Sequence, residues 1–465
     1  EAAEEQCGIP ADTLRDVAHR VAHAERVCGL WAMGVTQHAM GSDTSTAMSN
    51  LLLVTGNYGR PGTGAYPLRG HNNVQGCSDF GTINTFYPGY QPVQDEQVRD
   101  KFADAWQCDL SLEPGLDNHT MVDAIHDGDL RALLVVGEEL SLVDANVHYV
   151  QEALEKLELL VVSELFFSRT CEFADVVLPA AASLEKDGTF VNTERRIQRL
   201  YAAMDPPGEA RPDWQVLQGL AAHLGVQWGY THPAEIMDEV ASLTPMFAGV
   251  SYDRLEGYAS LQWPVAEDGT DAPLLYTEDF HFDDGRARLH PLEPRERAEP
   301  VTEEYPLHVN NGRVLEHFHE GNLTLRSRGL SSLVPDTYVE VSRETAHRHG
   351  GVVTGDWVRL VSRYGEVTAR VLLSDQVADG ELWLPMQAAE INMLTGNEID
   401  PDSHTPAYKE IAARMEPADG PIERRGGARK GADRARNVLR EIPCAELLAM
   451  VKQAAELFSS VELPL

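Results

Sequence analysis

The chain reads as an α/β protein made of incomplete parallel-sheet units, followed by an all-β carboxy-terminal module. Three observations predict this. Between residues 119 and 180, helical segments alternate with the apolar runs LRALLVVG (130–137), LELLVVS (157–163) and ADVVLPA (174–180). Near-continuous apolar strands separated by helices belong to a parallel sheet covered on both faces. From residue 305 the period falls to two, in YPLHVNN, TYVEVSRE, DWVRLVSRYGEVTARVLLSD and ELWLP, and SRYGEV reads as a hairpin turn. Upstream, seven glycines crowd residues 55–81, where backbone has to come close to something.

The elements follow in order. Leu14, Val17, Ala18, Val21 and Ala22 make a helical stripe over 11–25. VCGLWAMG (27–34) reads as a buried strand running into a loop, and 44–55 as a helix stopped by Gly56. Helix, strand, loop and helix suggest the back half of a doubly wound unit, whose front half would lie upstream of residue 1. Residues 82–118 read as irregular; helices are expected at 119–127, 146–157 and 214–225, the last closed by Gly225. Residues 226–300, rich in Pro, Asp and Gly, read as an irregular linking region. The expected divisions are 1–71, 72–183, 184–300, 301–416 and 417–465. In the last, the basic ERRGGARKGADRAR (423–436) precedes a helix-like run interrupted at Pro443. Docking on the acidic body or another subunit, and a flexible linker with an amphipathic end, both fit it.

The 465 residues leave room for roughly three domains. Asp and Glu number 73 against 38 Lys and Arg, a formal charge of −35, so nucleic acid is excluded as a partner. A salt-loving cytoplasm and GC-rich codon usage each account for so acidic a chain with six lysines. Its six cysteines (7, 28, 77, 108, 171, 444) are scattered, with no C-x-x-C pair for zinc or an iron–sulfur cluster. They read as reduced core residues of a cytosolic protein. No apolar run reaches the roughly 18 residues of a membrane span and no signal peptide opens the chain, so a cytoplasmic protein without a transmembrane segment is expected. The start at Glu1 suggests a processed, trimmed or split polypeptide.

Within 55–81, Arg60 and Arg69 are the only cations, and Asn57, His71, Asn72, Asn73 and Gln75 supply directional polar groups. That equipment suits a large anionic cofactor held against backbone; a structural glycine-rich loop is the alternative. LLLVTGNYGRPGTGAYPLRGHNNVQGCSDFG (51–81), preceded by WAMGVTQH (31–38), resembles the alpha subunits of formate dehydrogenases. These belong to the molybdenum or tungsten oxidoreductases that bind two molybdopterin guanine dinucleotides. ADVVLPAAASLEKDGTFVNTERRIQR (174–199), EYPLHVNNGRVLEHFHEGN (304–322) and HTPAYKEIAARME (404–416) resemble the same superfamily, in the same order.

The resemblance implies that the parallel-sheet units are partial cofactor domains and that the β module is a six-stranded, barrel-like domain covering the cofactors. It implies that Arg69 holds the substrate carboxylate, for which a planar guanidinium fork is suited, with Gly70, His71 and Asn72 beside it. His71 stands where these dehydrogenases commonly carry Gln, which keeps nitrate or another oxyanion open as the substrate. By the same likeness Met33 and Gln37 line the metal and pterin, and Glu139, Glu164 and Asp213 contact guanosine. Arg313 and His319 contact cofactor, and Tyr408 and Lys409 contact pterin or phosphate. No metal ligand is expected on this chain: His317 and His319 in EHFH lack a third ligand at a recognisable spacing, and Cys77 falls where the family has small residues. Lys186 reads as salt-bridged surface. The family's iron–sulfur cysteines and its catalytic selenocysteine or cysteine followed by histidine lie upstream of the matched region. The implied activity, oxidation of formate to CO2 with electrons passed to an iron–sulfur cluster, therefore needs an amino-terminal half or an electron-transfer subunit. A non-catalytic cofactor-binding scaffold is the reading from another class.

Overall fold

The computed structural model describes residues 2–293, 295–334, 337–387 and 390–421; the expectations for 422–465 fall outside them. The first helix of substance, Ala11–His23, matches the apolar stripe, yet buries none of its residues. It leads to β1 (Cys28–Trp31), which pairs in parallel with β2 (Gly64–Pro67). β1 was expected to be buried throughout. Instead its sides alternate: Trp31 is buried and Leu30 is 57% exposed. The expected loop at 33–36 is a helical turn, Met33–Thr36. The helix Gly41–Val54 ends at Thr55, and Gly56 follows with φ +67°.

The stretch 82–118 is not irregular. It holds a small antiparallel pair, β3 (Phe86–Tyr87) and β4 (Gln91–Pro92). It also holds the helix Glu96–Trp106, whose first amides are capped by the Asp95 carboxylate. Phe102 anchors that helix, fully buried and stacked on Tyr87 with ring centroids 4.4 Å apart.

The parallel sheet forms as the apolar runs predict: β5 (Ala132–Val136), β6 (Leu159–Glu164) and β7 (Val176–Pro179), with β6 central. Every residue of β6 is buried, and the helices Asn118–Asp127 and Val147–Lys156 pack their apolar sides on it. Beyond it, β8 (Gly188–Val191), β9 (Arg196–Leu200) and β10 (Ser260–Gln262) make a three-stranded antiparallel sheet. The helices Asp213–His223 and Pro233–Leu243 lie in sequence between β9 and β10. The region 226–300, expected to be irregular, thus contributes a helix, a strand and part of a core around Phe247 and Leu255.

The carboxy-terminal module closes into a six-stranded barrel in the order β11 (Leu307–Gly312), β15 (Glu381–Pro385), β12 (Tyr338–Val341), β14 (Glu366–Leu373), β13 (Trp357–Val361) and β16 (Ile411–Ala418). Inward side chains alternate along each strand, and closure removes exposed edges. Polar contacts seat the barrel on the α/β part. Ser42 bonds Asp400, His38 Nδ1 lies 3.1 Å from Glu410, and Asn392 donates to the carbonyls of Leu142 and Val143. The cysteines depart from expectation: among the described residues Cys171 is buried, while Cys7, Cys28, Cys77 and Cys108 are exposed.

Candidate functional site

Four segments remote in sequence converge beside the glycine-laced loop. Its glycines divide the work. Gly59, at φ +69°, lets the Tyr276 carbonyl approach to where a Cβ would clash, a purely internal contact. Gly70 instead faces the Met33 methyl, 3.6 Å from where its own Cβ would be. Met33 Sδ in turn accepts from the Arg313 Nη2 at 3.5 Å. The carbonyl of Gln37 accepts from the Lys409 amide at 3.2 Å. The His71 ring lies 4.9 Å from that of His319. Loop, first helical turn, barrel exit and final barrel approach thus share one place.

Two cations define its electrostatics. Lys409 is 7% exposed; its Nζ donates to the carbonyl of Asn311 at 2.6 Å and to the Asn311 Oδ1 at 3.0 Å. Burial, with the neighbouring Arg313 adding to it, pushes the ammonium down to about 8. Burial likewise works against the charge on Arg313. Two neighbouring desolvated cations, Lys409 held by the oxygens of Asn311 and Arg313 by the Met33 sulfur, call for an anion. Burial also raises the Tyr408 phenol, and the Tyr408 carbonyl accepts from Asn311 at 2.7 Å.

On the α/β side, β5 and β6 end level, with Val136 opposite Ser163. Ligands on parallel sheets collect beyond such ends. Glu139, however, is consumed internally: Oε1 accepts from the Ser141 and Thr170 hydroxyls at 2.5 and 2.8 Å, and Oε2 from the Thr170 amide at 3.0 Å. Glu164 accepts from the Leu165 amide at 2.7 Å, and burial, helped by Glu139 and Glu320, raises its carboxyl above the usual range. Arg69 donates through Nη2 to the Val74 carbonyl and the Ser78 hydroxyl at 3.3 and 3.1 Å, so it is anchored to the helix that follows, Val74–Asp79. Asp213 forms an ion pair with Lys186 at the start of its helix. No hydrogen bond or ring contact among the described residues ties Asp213 or Asn72 to the cluster.

Sequence reasoning missed Glu320, Asp144, Asn311 and Gln387. Glu320 Oε2 lies 2.5 Å from the His319 Nδ1. Burial raises the Glu138 carboxyl. Asp144 is pushed up to about 7 by burial, with one oxygen bonded to Asn118 at 2.8 Å and the other unpartnered. Among the described residues Gln387, 3% exposed, has no partner at either end of its amide, and Ser163 Oγ has none. Glu320 could have been noticed, because it directly follows His319 in the quoted motif. The others carry no sequence signal separable from ordinary core polarity. His317 faces away, on Thr324 and the Val334 carbonyl at 3.1 Å each. Among the described residues no group of three His, Cys, Asp or Glu side chains could hold a metal ion.

Buried polar atoms without partners are rare in native folds and ask for an occupant. Paired cations, unpartnered amides and strand-end carboxyls fit a large molecule carrying phosphates and a polar heterocycle. Comparison with known proteins agrees. Residues 15–223 match the molybdopterin oxidoreductase family model, and residues 307–412 the molydopterin dinucleotide binding domain. A Bacillus subtilis (strain 168) protein named "Probable oxidoreductase YjgC" is 57% identical over 90% of this chain and 42% of its own length. A Staphylococcus aureus (strain USA300) protein named "Putative formate dehydrogenase" is 51% identical over 89% of this chain and 43% of its own. The chain therefore spans under half the length of these curated relatives. Acetylene hydratase from Pelobacter acetylenicus shares the fold, with a TM-score of 0.65 at 16% identity over 89% of this chain and 64% of that one. With the fold and the converging cations in agreement, residues 15–223 form a molybdopterin oxidoreductase domain and residues 307–412 a molydopterin dinucleotide binding domain.

Proposed function

We propose that this chain is the carboxy-terminal part of a formate dehydrogenase-like catalytic subunit, oxidising formate to CO2 together with an amino-terminal part or partner. The observation that carries this reading is the convergence of Met33, Gln37, Gly70, His71, Arg313, His319 and Lys409 on one place from four remote segments. Two molybdopterin guanine dinucleotides with molybdenum or tungsten, when bound, supply the two-electron acceptor that no side chain can be. Arg313 and Lys409 offer the charge to hold a pterin or phosphate. Tyr408 and Gln387 offer the hydrogen bonds. Glu164, at the end of β6, suits guanosine, whose N1–H and N2–H₂ can donate to carboxylate oxygens.

Arg69 is the substrate cation in this reading. Anchored through one nitrogen to Val74 and Ser78, its guanidinium is held in a fixed plane. A fixed fork orients a one-carbon carboxylate, at roughly 1.5–3 kcal/mol for a charge-assisted hydrogen bond. Electrons would leave through an iron–sulfur cluster outside this chain, in a cytoplasmic assembly. No helix among the described residues is long and apolar enough to cross a membrane.

The test is formate-dependent dye reduction by the assembled protein. Arg69→Lys is expected to abolish it while molybdenum or tungsten and releasable guanine nucleotide stay at wild-type levels. Full activity in that variant would refute the role of Arg69. His71 in place of the family's usual Gln gives specific weight to a second substrate, nitrate or another oxyanion, and nitrate-dependent dye oxidation without formate activity would select it. An assembly that binds the dinucleotide and turns over neither substrate would be the scaffold.

A further inference from the structure

Asp79 ends the helix Val74–Asp79 and has no exposed surface. Among the described residues its side chain meets donors alone. The Gln75 amide and the Tyr90 hydroxyl reach Oδ1 at 2.6 and 2.8 Å, and the Trp263 indole N–H reaches Oδ2 at 2.7 Å. The Asp79 backbone carbonyl accepts from the Gly89 amide at 2.7 Å. Gly89 and Tyr90 lie in the turn between β3 and β4, and Trp263 lies just past β10. Both outside partners are themselves fixed. Tyr90 holds φ +57°, a region that side chains seldom enter. Arg195 donates to the Trp263 carbonyl and sits 5.3 Å over its ring. Burying a carboxylate without an ion pair costs stability. Among the described residues Asp79 has no such pair, which points to work beyond holding the fold together.

The helix that Asp79 ends is also the one that holds Arg69. Arg69 Nη2 donates to the Val74 carbonyl, at its start, and to the Ser78 hydroxyl, next to Asp79. With six residues and no side-chain cap at Asn73, this helix is too short to stand alone. The socket for Arg69 is therefore only as firm as the ties that Asp79 makes to Tyr90 and Trp263.

We propose that Asp79 is the positioning residue for Arg69: it pins the short helix to the β3–β4 turn and to Trp263, and so sets the plane in which the guanidinium meets a small carboxylate. The inference rests on the formate reading above, which gives Arg69 that substrate. Charge acts in the same sense. Burial raises the Asp79 carboxyl, while its three donors and then Arg69 pull it back, so guanidinium and carboxylate attract across the helix end.

The experiment uses the assembled holoenzyme carrying Asp79→Asn, which keeps the volume, removes the charge and turns one acceptor oxygen into a donor. Two readouts are taken. One is KM and kcat for formate. The other needs no turnover: the rate at which phenylglyoxal, a guanidine-selective dicarbonyl, labels Arg69, followed by peptide mass spectrometry. The exposed Arg60, whose Nη2 bonds the Gly56 carbonyl, is the internal standard. KM is expected to rise on the order of tenfold, the worth of one well-placed hydrogen bond, with kcat within about threefold of wild type. Labelling of Arg69 is expected to quicken severalfold while that of Arg60 does not. Trp263→Phe keeps the charge and removes one tie; it should move both readouts less and in the same direction, and it decides the matter if Asp79→Asn fails to assemble. A residue that only held the fold together would lower the thermal midpoint and leave both readouts alone. Labelling of Arg69 at the wild-type rate in the variants overturns the proposal, whatever KM does. Faster labelling with KM unmoved, or in an assembly that oxidises no formate, upholds the placing of Arg69 by Asp79 and overturns formate as what Arg69 holds.

Discussion

Lys409 is a lysine placed where lysines rarely go. Its folded-state value of about 8 lies below the 10.5 of a free side chain. Between those two values the unfolded chain binds more protons than the folded one, so stability rises with pH across that window. Below about pH 8 the burial penalty is present in full; above the upper value it is gone. The gap corresponds to about 3 kcal/mol. In cofactor-free protein, Lys409→Met is expected to flatten the rise in unfolding free energy between pH 8 and 10, measured by urea melts at matched ionic strength. An equal slope in both proteins would mean that Lys409 is not the group responsible. At this scale the sequence was a partial guide. Lys409, Arg313 and His319 stood in quoted motifs, and the fold brings Arg313 onto Met33, Lys409 onto Asn311 and the His319 ring beside that of His71. Glu139 shows the limit, because a strand-end carboxylate looks the same in sequence whether it awaits a nucleoside or bonds Thr170 and Ser141. Only the fold brings Thr170, thirty-one residues away, against it.

Helices and strands were legible in proportion to how regular their burial is. β6, buried at every position, and the alternating barrel strands declared themselves by period. The helix Glu96–Trp106 did not. It is anchored through a single fully buried aromatic, Phe102, and is flanked by residues that signal turns. Its start depends on the Asp95 carboxylate, which accepts from the amides of Gln97 and Val98 at 2.9 and 3.2 Å. Asp95→Ala is expected to cost about 1 kcal/mol, read as a lower thermal midpoint. Strand β1 was read from VCGLWAMG, though as buried throughout, and of its pair only β2 escaped notice. Parallel sheets are normally covered on both faces, but this pair exposes Leu30, and GAYP (64–67) carries no continuous apolar run to mark β2.

Across the whole molecule, a formal charge of −35 on 465 residues sets up self-repulsion that the compact state feels more than the unfolded chain. Salt screens it, with a Debye length of about 10 Å at 0.1 M and about 3 Å at 1 M. The unfolding midpoint is expected to climb between 0.1 and 2 M KCl and to fall again on dialysis to low salt; a flat profile would show that the charge is too well dispersed to matter. The barrel has a different consequence. Both of its arms that reach the site, Arg313–Glu320 after β11 and Tyr408–Lys409 before β16, hang from neighbouring staves that meet at Val309 and Ile411. The two grips therefore share one footing. Whatever loosens that seam slackens both together, so they fail as a unit.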